Sequence, residues 1–410
     1  MTELQPSQQG ERSPKREKSH EAMRQNIYEV IDSESLDISL GHVKDFDKIV
    51  TMTLQVLTFV LRRSHWTVPN ALISEIRRCG EIMQRRNPLR FEIGNTVLRV
   101  MRFIRRAAMA ICRVHDGDSS RASDPSPVAA PLLTPSPRMS PAEGFFSMDP
   151  DMRSSLSASR VLADDLEKPY MLRQFDKNMR SQMRDLVSTS IADFEEQEVT
   201  AAVDSLSEKA HQHVHPNECI LVYGYSKTVL RFLTVVRQHG VKFEVLVAES
   251  APRHDGQDMT VDLVKAGITA TLVPDSALYV MMPRVSKVIV GAHAIMSNGG
   301  ILAASGVHLA AVAARKHGVP LMVCSSLIKL TPRYPYDLEF LSCLSNPADV
   351  IPHTMLEHPE NVSVLNPCFD YVPPEYVSLF VTDHGYHTPS FIYRLLEEYY
   401  DAEDYQFSPL

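Results

Sequence analysis

The residues of this chain whose types and spacing point to chemistry sit where apolar runs end. The stretch VIVGAHAIMSNGGILAASG, beginning at Val288, closes one such run in a loop of small residues. A loop of this kind that opens a helix offers unpaired backbone amides to an anion, because the first N–H groups of a helix have no intrahelical partner. His293 is the one ionisable group in the loop, and an imidazole at a strand end is a candidate base. Gly224, Ser226 and Lys227 end an earlier run in VYGYSKTV, where Lys227 is available to neutralise an anion. Glu249 and Asp275 end two more runs and are candidates to meet His293 in one crevice. Each has a plainer reading. The spacing from Gly291 to Gly300 is neither GxGxxG nor a Walker loop, so a tight strand-to-helix connection is favoured over a phosphate cradle. Strand-end histidines are more often solvent-facing or capped, and strand-end carboxylates often cap helices. No nucleophile stands beside an evident base. Cys219 begins its run, and Cys324 lies inside one, where a thiol is ordinarily packing.

Elements must hold these groups. CILVYG (219–224), FEVLVAES (243–250), TATLVP (269–274), KVIVGA (287–292) and PLMVCSS (320–326) read as buried strands. Between them, Ser226–His239, Met259–Ala266, Ser276–Val285 and Ile301–His317 read as helices. Apolar strands alternating with helices imply a parallel sheet covered on both faces, with ligands at the carboxyl ends of its strands. Upstream, Ile49, Met52, Val56, Phe59 and Val60 recur at helical spacing. Leu72, Ile73, Ile76 and Ile82 do so after a Pro-Asn turn, and Val97, Val100, Met101, Ile104 and Ala108 mark a third helix. Three helices with short turns make a small bundle. A long helical stretch is expected from Leu172 to Val214, stopped by Pro216. His211, His213 and His215 alternate there and do not share a helix face, so they imply no metal site.

The expected organisation is a disordered tail (1–25), a helical domain (26–115), a disordered Ser/Pro-rich linker (116–165), connecting helices (166–215) and a Rossmann-like α/β domain (216–410). Ser126, Thr134, Ser136 and Ser140 in the linker each precede a proline and are candidates for proline-directed phosphorylation. The net charge of −8 gives no overall nucleic-acid signal. Charge is uneven, however. Lys44 to Arg113 holds fourteen Lys/Arg against five Asp/Glu, and Phe369 to Asp404 holds eight acids against one Arg. That asymmetry is consistent with oriented contacts with partners, or with two solvated faces of opposite sign. The Arg pairs 62–63, 77–78, 85–86 and 105–106 suggest a basic docking surface. Six scattered cysteines, without a CxxC pair, argue against a zinc site and a secreted disulfide framework. No signal peptide begins the chain, and no uncharged apolar run reaches about 18 residues. A soluble protein of a reducing compartment is expected.

The order VYGYSKTV, VAESAP and DLVKAGITATLVPDSALYVMMPRVSKVIVGAHAIMSNGGILAASG resembles the regulatory subunits of the eukaryotic guanine-nucleotide exchange factor initiation factor 2B, its alpha/beta/delta family. FDYVPPEYVSLFVTD, SFIYRLLEEYY, HWTVPNALISEIRRCGEIM and IGNTVLRVMRFIRR look most like the beta branch. The resemblance implies a cytosolic, non-catalytic regulatory subunit without cofactor. Its partners would be the alpha, gamma, delta and epsilon subunits and initiation factor 2, mainly the alpha subunit, whose phosphorylation the regulatory core senses. Membrane and direct nucleic-acid contacts are not expected. Related sugar-phosphate isomerases use a Cys after the first sheet strand, an Asp in an N-G-D loop and an Asn-Lys pair. Those positions fall at Gly224, at Asn298–Gly299–Gly300, and at Ala303 and Ala304. Gly224, Ser226, Lys227, His293, Asn298, Gly299 and Gly300 are thus the expected remnant of a ligand pocket. The alternatives are an isomerase-like enzyme or a nucleotide- or sugar-phosphate-sensing module. The aromatic residues Tyr371, Tyr376, Phe380, Phe391 and Tyr393 of the tail are candidates for subunit contacts or for the domain's own core.

Overall fold

The computed structural model describes residues 29–39, 45–115, 169–208, 210–336, 341, 343–355 and 361–405. The expected tail (1–25) and the linker with its Ser-Pro and Thr-Pro sites lie outside them. Four helices open the described chain: α1 (29–39), α2 (Phe46–Arg63), α3 (Pro69–Arg86) and α4 (Phe91–His115). The apolar spacing does what it implies. Ile49, Val56 and Val60 of α2 and Leu72, Ile73 and Ile76 of α3 are buried. Pro69 opens α3 in its first turn, where a missing N–H costs nothing. Helix α4 packs against α2, α3 and α5 (Lys177–Phe194) and is buried nearly all round. Met179, Met183, Val187 and Ile191 dock α5 on this bundle, so it is a fourth bundle helix as well as a connector.

The expected continuous helix from Leu172 to Val214 is interrupted. After α5 the chain widens into a π turn, Glu195–Thr200, and resumes as α6, Ala202–Glu208. The wide turn brings Glu198 to Arg99 of α4, a half-buried ion pair that the apolar spacing does not reveal.

The sheet has seven strands in the order β10-β9-β7-β4-β1-β2-β3. They are β1 (Cys219–Tyr223), β2 (Glu244–Ala248), β3 (Thr269–Val273), β4 (Lys287–Gly291), β7 (Leu321–Cys324), β9 (Leu379–Thr382) and β10 (Gly385–His387). All neighbours pair in parallel except β10 on β9. Helices α7 (Lys227–Gln238) and α8 (Asp255–Lys265) cover one face through Phe232, Leu233, Met259 and Leu263. The other face joins the bundle in one continuous apolar cluster that includes Val288, Val290, Leu321, Val323 and Phe380. The expected helix Ser276–Val285 is a series of short turns, broken by Pro283.

One expectation fails where it matters. Ile301–His317 is not one helix. Ile301–Ala304 is a strand, β6, between β5 (Ala294–Ile295) and β8 (Phe369–Val372) in a small antiparallel sheet. Helix α9 starts only at Val307 and ends before Gly318. ILAA carries no period that separates strand from helix, and its ladder partners on β8 are 65 or more positions away in sequence.

The chain ends on the bundle. After α10 (Ile392–Tyr399), the buried Tyr400 hydroxyl donates to the Leu330 carbonyl at 2.7 Å. Asp404, 1% exposed, accepts from Arg77 at 2.6 Å and from both terminal nitrogens of Arg105. Asp401 and Glu403 also pair with Arg105, at 3.1 and 3.5 Å. Burial pulls the Arg105 pKa down, but hydrogen bonds and charge from Asp404 and Asp401 outweigh it and the net direction is up. Arg102 beside them is pushed down to about 10 by burial and by Arg106. Part of the charge asymmetry is therefore satisfied within the chain: Asp401, Glu403 and Asp404 of the tail fold onto Arg77 and Arg105. Asp404→Ala strips two guanidinium groups of a buried partner. It is expected to lower stability by roughly 3–5 kcal/mol in urea unfolding, with Arg105→Met/Asp404→Leu recovering much of the loss.

Candidate functional site

Strand order reverses between β1 and β4: the chain runs outward from β1 through β2 to β3, then returns to β4, β7 and β9. A crevice at the carboxyl ends of β1 and β4 is the expected ligand position in such a sheet. Gly224, with φ +62°, follows β1, and Gly291 ends β4. Ser226 caps α7, its hydroxyl accepting from the Val229 amide at 3.4 Å. A Cβ on Gly291 would lie 2.5 Å from that hydroxyl, so the switch point is closed to van der Waals separation.

The chain's own groups occupy the rest of the crevice. Asp370 of β8 sits at the N-terminus of α9 and accepts from the amides of Gly306 at 2.6 Å and His308 at 3.4 Å. A carboxylate thus takes the place at these amides that an incoming anion would take. Gly306 has φ +98°, and any Cβ there would run into the Tyr223 phenol oxygen. That phenol faces Asp275, Asp370 and Ser250; burial first, then the Asp275 charge, pushes its pKa up. Asp275 also accepts from the amides of Ser250 at 3.0 Å and Ala251 at 2.8 Å.

The Asn298–Gly299–Gly300 turn is a β5–β6 hairpin and not a helix entrance. The Asn298 amide donates to the Tyr371 hydroxyl at 2.6 Å, and its carbonyl oxygen accepts from the Gly300 amide at 3.0 Å. A Cβ on Gly300 would lie 2.6 Å from the Tyr371 oxygen, and one on Gly299 would lie 2.5 Å from the Pro389 carbonyl. The tyrosine ring stands where an aspartate side chain would have to begin. Ala303 and Ala304 lie in β6, paired with Asp370 and Phe369, rather than at a helix start.

His293 and Lys227 turn elsewhere. His293 stacks on Phe369 with centroids 4.3 Å apart, and its Nε2–H donates to the Leu89 carbonyl at 3.1 Å. Burial holds its pKa below the ordinary value, so it is a neutral packing residue between sheet and bundle and not a strand-end base. Lys227 pairs with Asp45 at 2.7 Å, ahead of α2. Glu249 faces His254 at 3.7 Å. The contacts therefore do not join the seven candidate residues, or Glu249 and Asp275 with His293, into one pocket. Sequence reasoning missed Tyr223, Ser250 and Asp370. The usable signal was Asp370–Tyr371 opening the FDYVPP stretch, a carboxylate and a phenol inside an otherwise apolar strand. Of the tail's rings, Phe380 is fully buried, Tyr371 covers the hairpin, Tyr376 lies under Arg315, Phe391 stacks on His387, and Tyr393 is exposed. Among the described residues, no three His, Cys, Asp or Glu groups are placed to hold a metal, and no helix is long and apolar enough to cross a membrane.

A helical bundle backing a mostly parallel sheet, with its switch-point crevice filled by the chain's own tail, defines an α/β domain of Rossmann type. Residues 46–389 match the initiation factor 2 subunit family, and the chain belongs to that family. Curated relatives include translation initiation factor eIF2B subunit beta of Dictyostelium discoideum, 36% identical over 84% of this chain and 88% of that one. The protein of the same name from Schizosaccharomyces pombe is 30% identical over 93% of this chain and 98% of its own. Among solved structures, eIF2B beta from Chaetomium thermophilum aligns with a TM-score of 0.65 at 23% identity, over 95% of this chain and 97% of that one. A chain of the tetrameric eIF2B-beta2-delta2 complex from C. thermophilum aligns at 0.59 and 22% identity, over 92% and 97%. These share the fold.

Two tests follow from the geometry. Gly300→Asp is expected to destabilise the protein, by about 1–3 kcal/mol, because the new side chain meets the Tyr371 ring. Pairing it with Tyr371→Ala should relieve the clash, and thermal unfolding of the two variants reads the difference. Asp383, which accepts from the Leu327 amide at 3.0 Å, is pushed up to about 6, by burial against the opposing pull of His384. Its folded pKa exceeds the unfolded value near 3.9, so the folded state binds the extra proton between these values. This group alone therefore costs stability as pH rises from about 4 to about 6, by up to roughly 3 kcal/mol. Asp383→Asn should flatten that part of the stability–pH curve and raise stability at pH 7.

Proposed function

We propose that this protein is a non-catalytic regulatory subunit of the guanine-nucleotide exchange factor that acts on translation initiation factor 2. The observation that carries the reading is the filled crevice. Proton transfer needs a titratable group within hydrogen-bond reach of a substrate. Glycines stand at 224 and 300, where the isomerases carry Cys and Asp; Ser250 faces the first, Tyr371 covers the second, and Asp370 takes the amides that open α9. In this reading the protein acts in the cytosol. Its partners are the alpha, gamma, delta and epsilon subunits, together with initiation factor 2 through the alpha subunit, whose phosphorylated form it helps to distinguish. The exposed arginines at 62, 63, 85 and 106 suit an anionic partner, since guanidinium pairs bidentately with phosphate. Family membership and the beta-subunit relatives support the assignment.

The test is co-purification of the tagged chain from its own cells, followed by nucleotide exchange on initiation factor 2. Stoichiometric recovery of the other exchange-factor subunits is expected, with exchange that phosphorylation of the alpha subunit slows. Recovery of the chain without them, or turnover of ribose or methylthioribose phosphates that changes at 298–300 abolish, would contradict it.

A further inference from the structure

Residues 343–346 and 366–368 run antiparallel just ahead of β8. Leu344 and Pro367 form an isolated bridge. The Ser345 amide donates to the Asn366 carbonyl at 2.6 Å, and the Cys368 amide to the Cys343 carbonyl at 2.7 Å. That register sets Cys343 across from Cys368, joined by the second of these bonds, while the Cys343 amide turns to the Leu341 carbonyl at 3.2 Å. Cα atoms of opposed antiparallel residues lie ~4.5–5.5 Å apart, within the ~4.4–6.8 Å that a disulfide spans. The two thiols are near enough to interact electrostatically, the Cys343 thiol donates to the Leu344 carbonyl at 3.7 Å, and both side chains are partly exposed. Cys79, Cys112 and Cys324, by contrast, are buried, and Cys219 opens β1 beside Glu244.

We propose that Cys343 and Cys368 form a redox modification site, which a small-molecule disulfide such as oxidised glutathione converts into a reversible disulfide. One cysteine thiolate attacks a sulfur of oxidised glutathione; a protein–glutathione bond forms, the glutathione disulfide breaks, and one reduced glutathione leaves. The second cysteine, as thiolate, attacks the protein sulfur of that mixed disulfide and releases the second glutathione. Two electrons and two protons pass from the cysteine pair to glutathione. Burial and the neighbouring thiol hold the Cys343 pKa up, so the reaction gains speed with rising pH. The bond would fasten the chain two residues before Asp370, which caps α9. Oxidation thus fixes the strand that closes the crevice.

The test incubates the full chain with oxidised glutathione, blocks free thiols, and cuts at acidic residues such as Glu357 and Glu360, which separate the two cysteines in sequence. A Cys343 peptide linked to a Cys368 peptide, released by dithiothreitol, is the expected product. Cys343→Ser and Cys368→Ser should each lose the link and leave the remaining cysteine as a glutathione adduct. Cleavage within 344–366 should slow several-fold on oxidation of the unmodified sequence and not of Cys368→Ser. Recovery of both cysteines as free thiols or separate adducts, or a link to Cys219 instead, overturns the proposal. The mapping on the unmodified chain decides this even if a variant fails to fold.

Discussion

Arg105 is a guanidinium in the middle of a helix that is buried on almost every side, and the fold depends on how it is answered. A buried charge without a partner is far more costly than one that is paired and hydrogen-bonded. The partner is Asp404, with Asp401 and Glu403, and these lie at the far end of the chain. Because Asp404 must reach α4, everything between the sheet and the C-terminus is drawn back across the molecule. Arg99, nearly two turns earlier, is held the same way: by Glu198 from the π turn, by the Tyr399 carbonyl at 3.3 Å, and by the Tyr399 ring 4.3 Å beneath it. Two arginines on one helix therefore collect the connector and the tail.

The path of that returning tail decides the state of the crevice. Strand β8 pairs with β6, β9 extends the main sheet beside β7, and α10 lies against the bundle. On the way, Asp370 lands on the amides that open α9, and Tyr371 lands on Gly300. Neither contact needs a ligand. The crevice is a packed joint, satisfied by protein carboxylate and phenol. Packing at this density leaves glycines, at 299, 300 and 306, where no side chain fits. The same joint links the sheet to the bundle, since β6 and β8 also frame His293, whose ring bridges Phe369 and Leu89.

Some of this is plain in the amino-acid order. The five apolar strand cores and the three N-terminal helices follow from period alone, and each is found within a few residues of its expected place. That Gly224 and Gly300 carry no titratable group is also plain in the sequence. What period does not carry is long-range pairing. ILAA becomes a strand only because β8 lies beside it, and a stretch so rich in small residues continues as readily into helix. The opposite charges of α4 and the tail stand out in composition, yet composition does not say whether they answer each other or a partner; Asp404 on Arg105 is a tertiary fact. His293 likewise reads as a solvent-facing or capped residue, with a base as the lesser alternative, until Phe369 and Leu89 enclose it.

The dependence of crevice and bundle on one another is best tested by native-state hydrogen exchange along the full chain. If the tail is the strut described above, the amides of Gly306 and His308 and those of α4 should open with the same free energy, near that of global unfolding. Asp404→Asn should lower both by the same amount. Fast, independent exchange at Gly306 and His308 in the unmodified chain, or an effect of Asp404→Asn confined to residues 400–405, would contradict it.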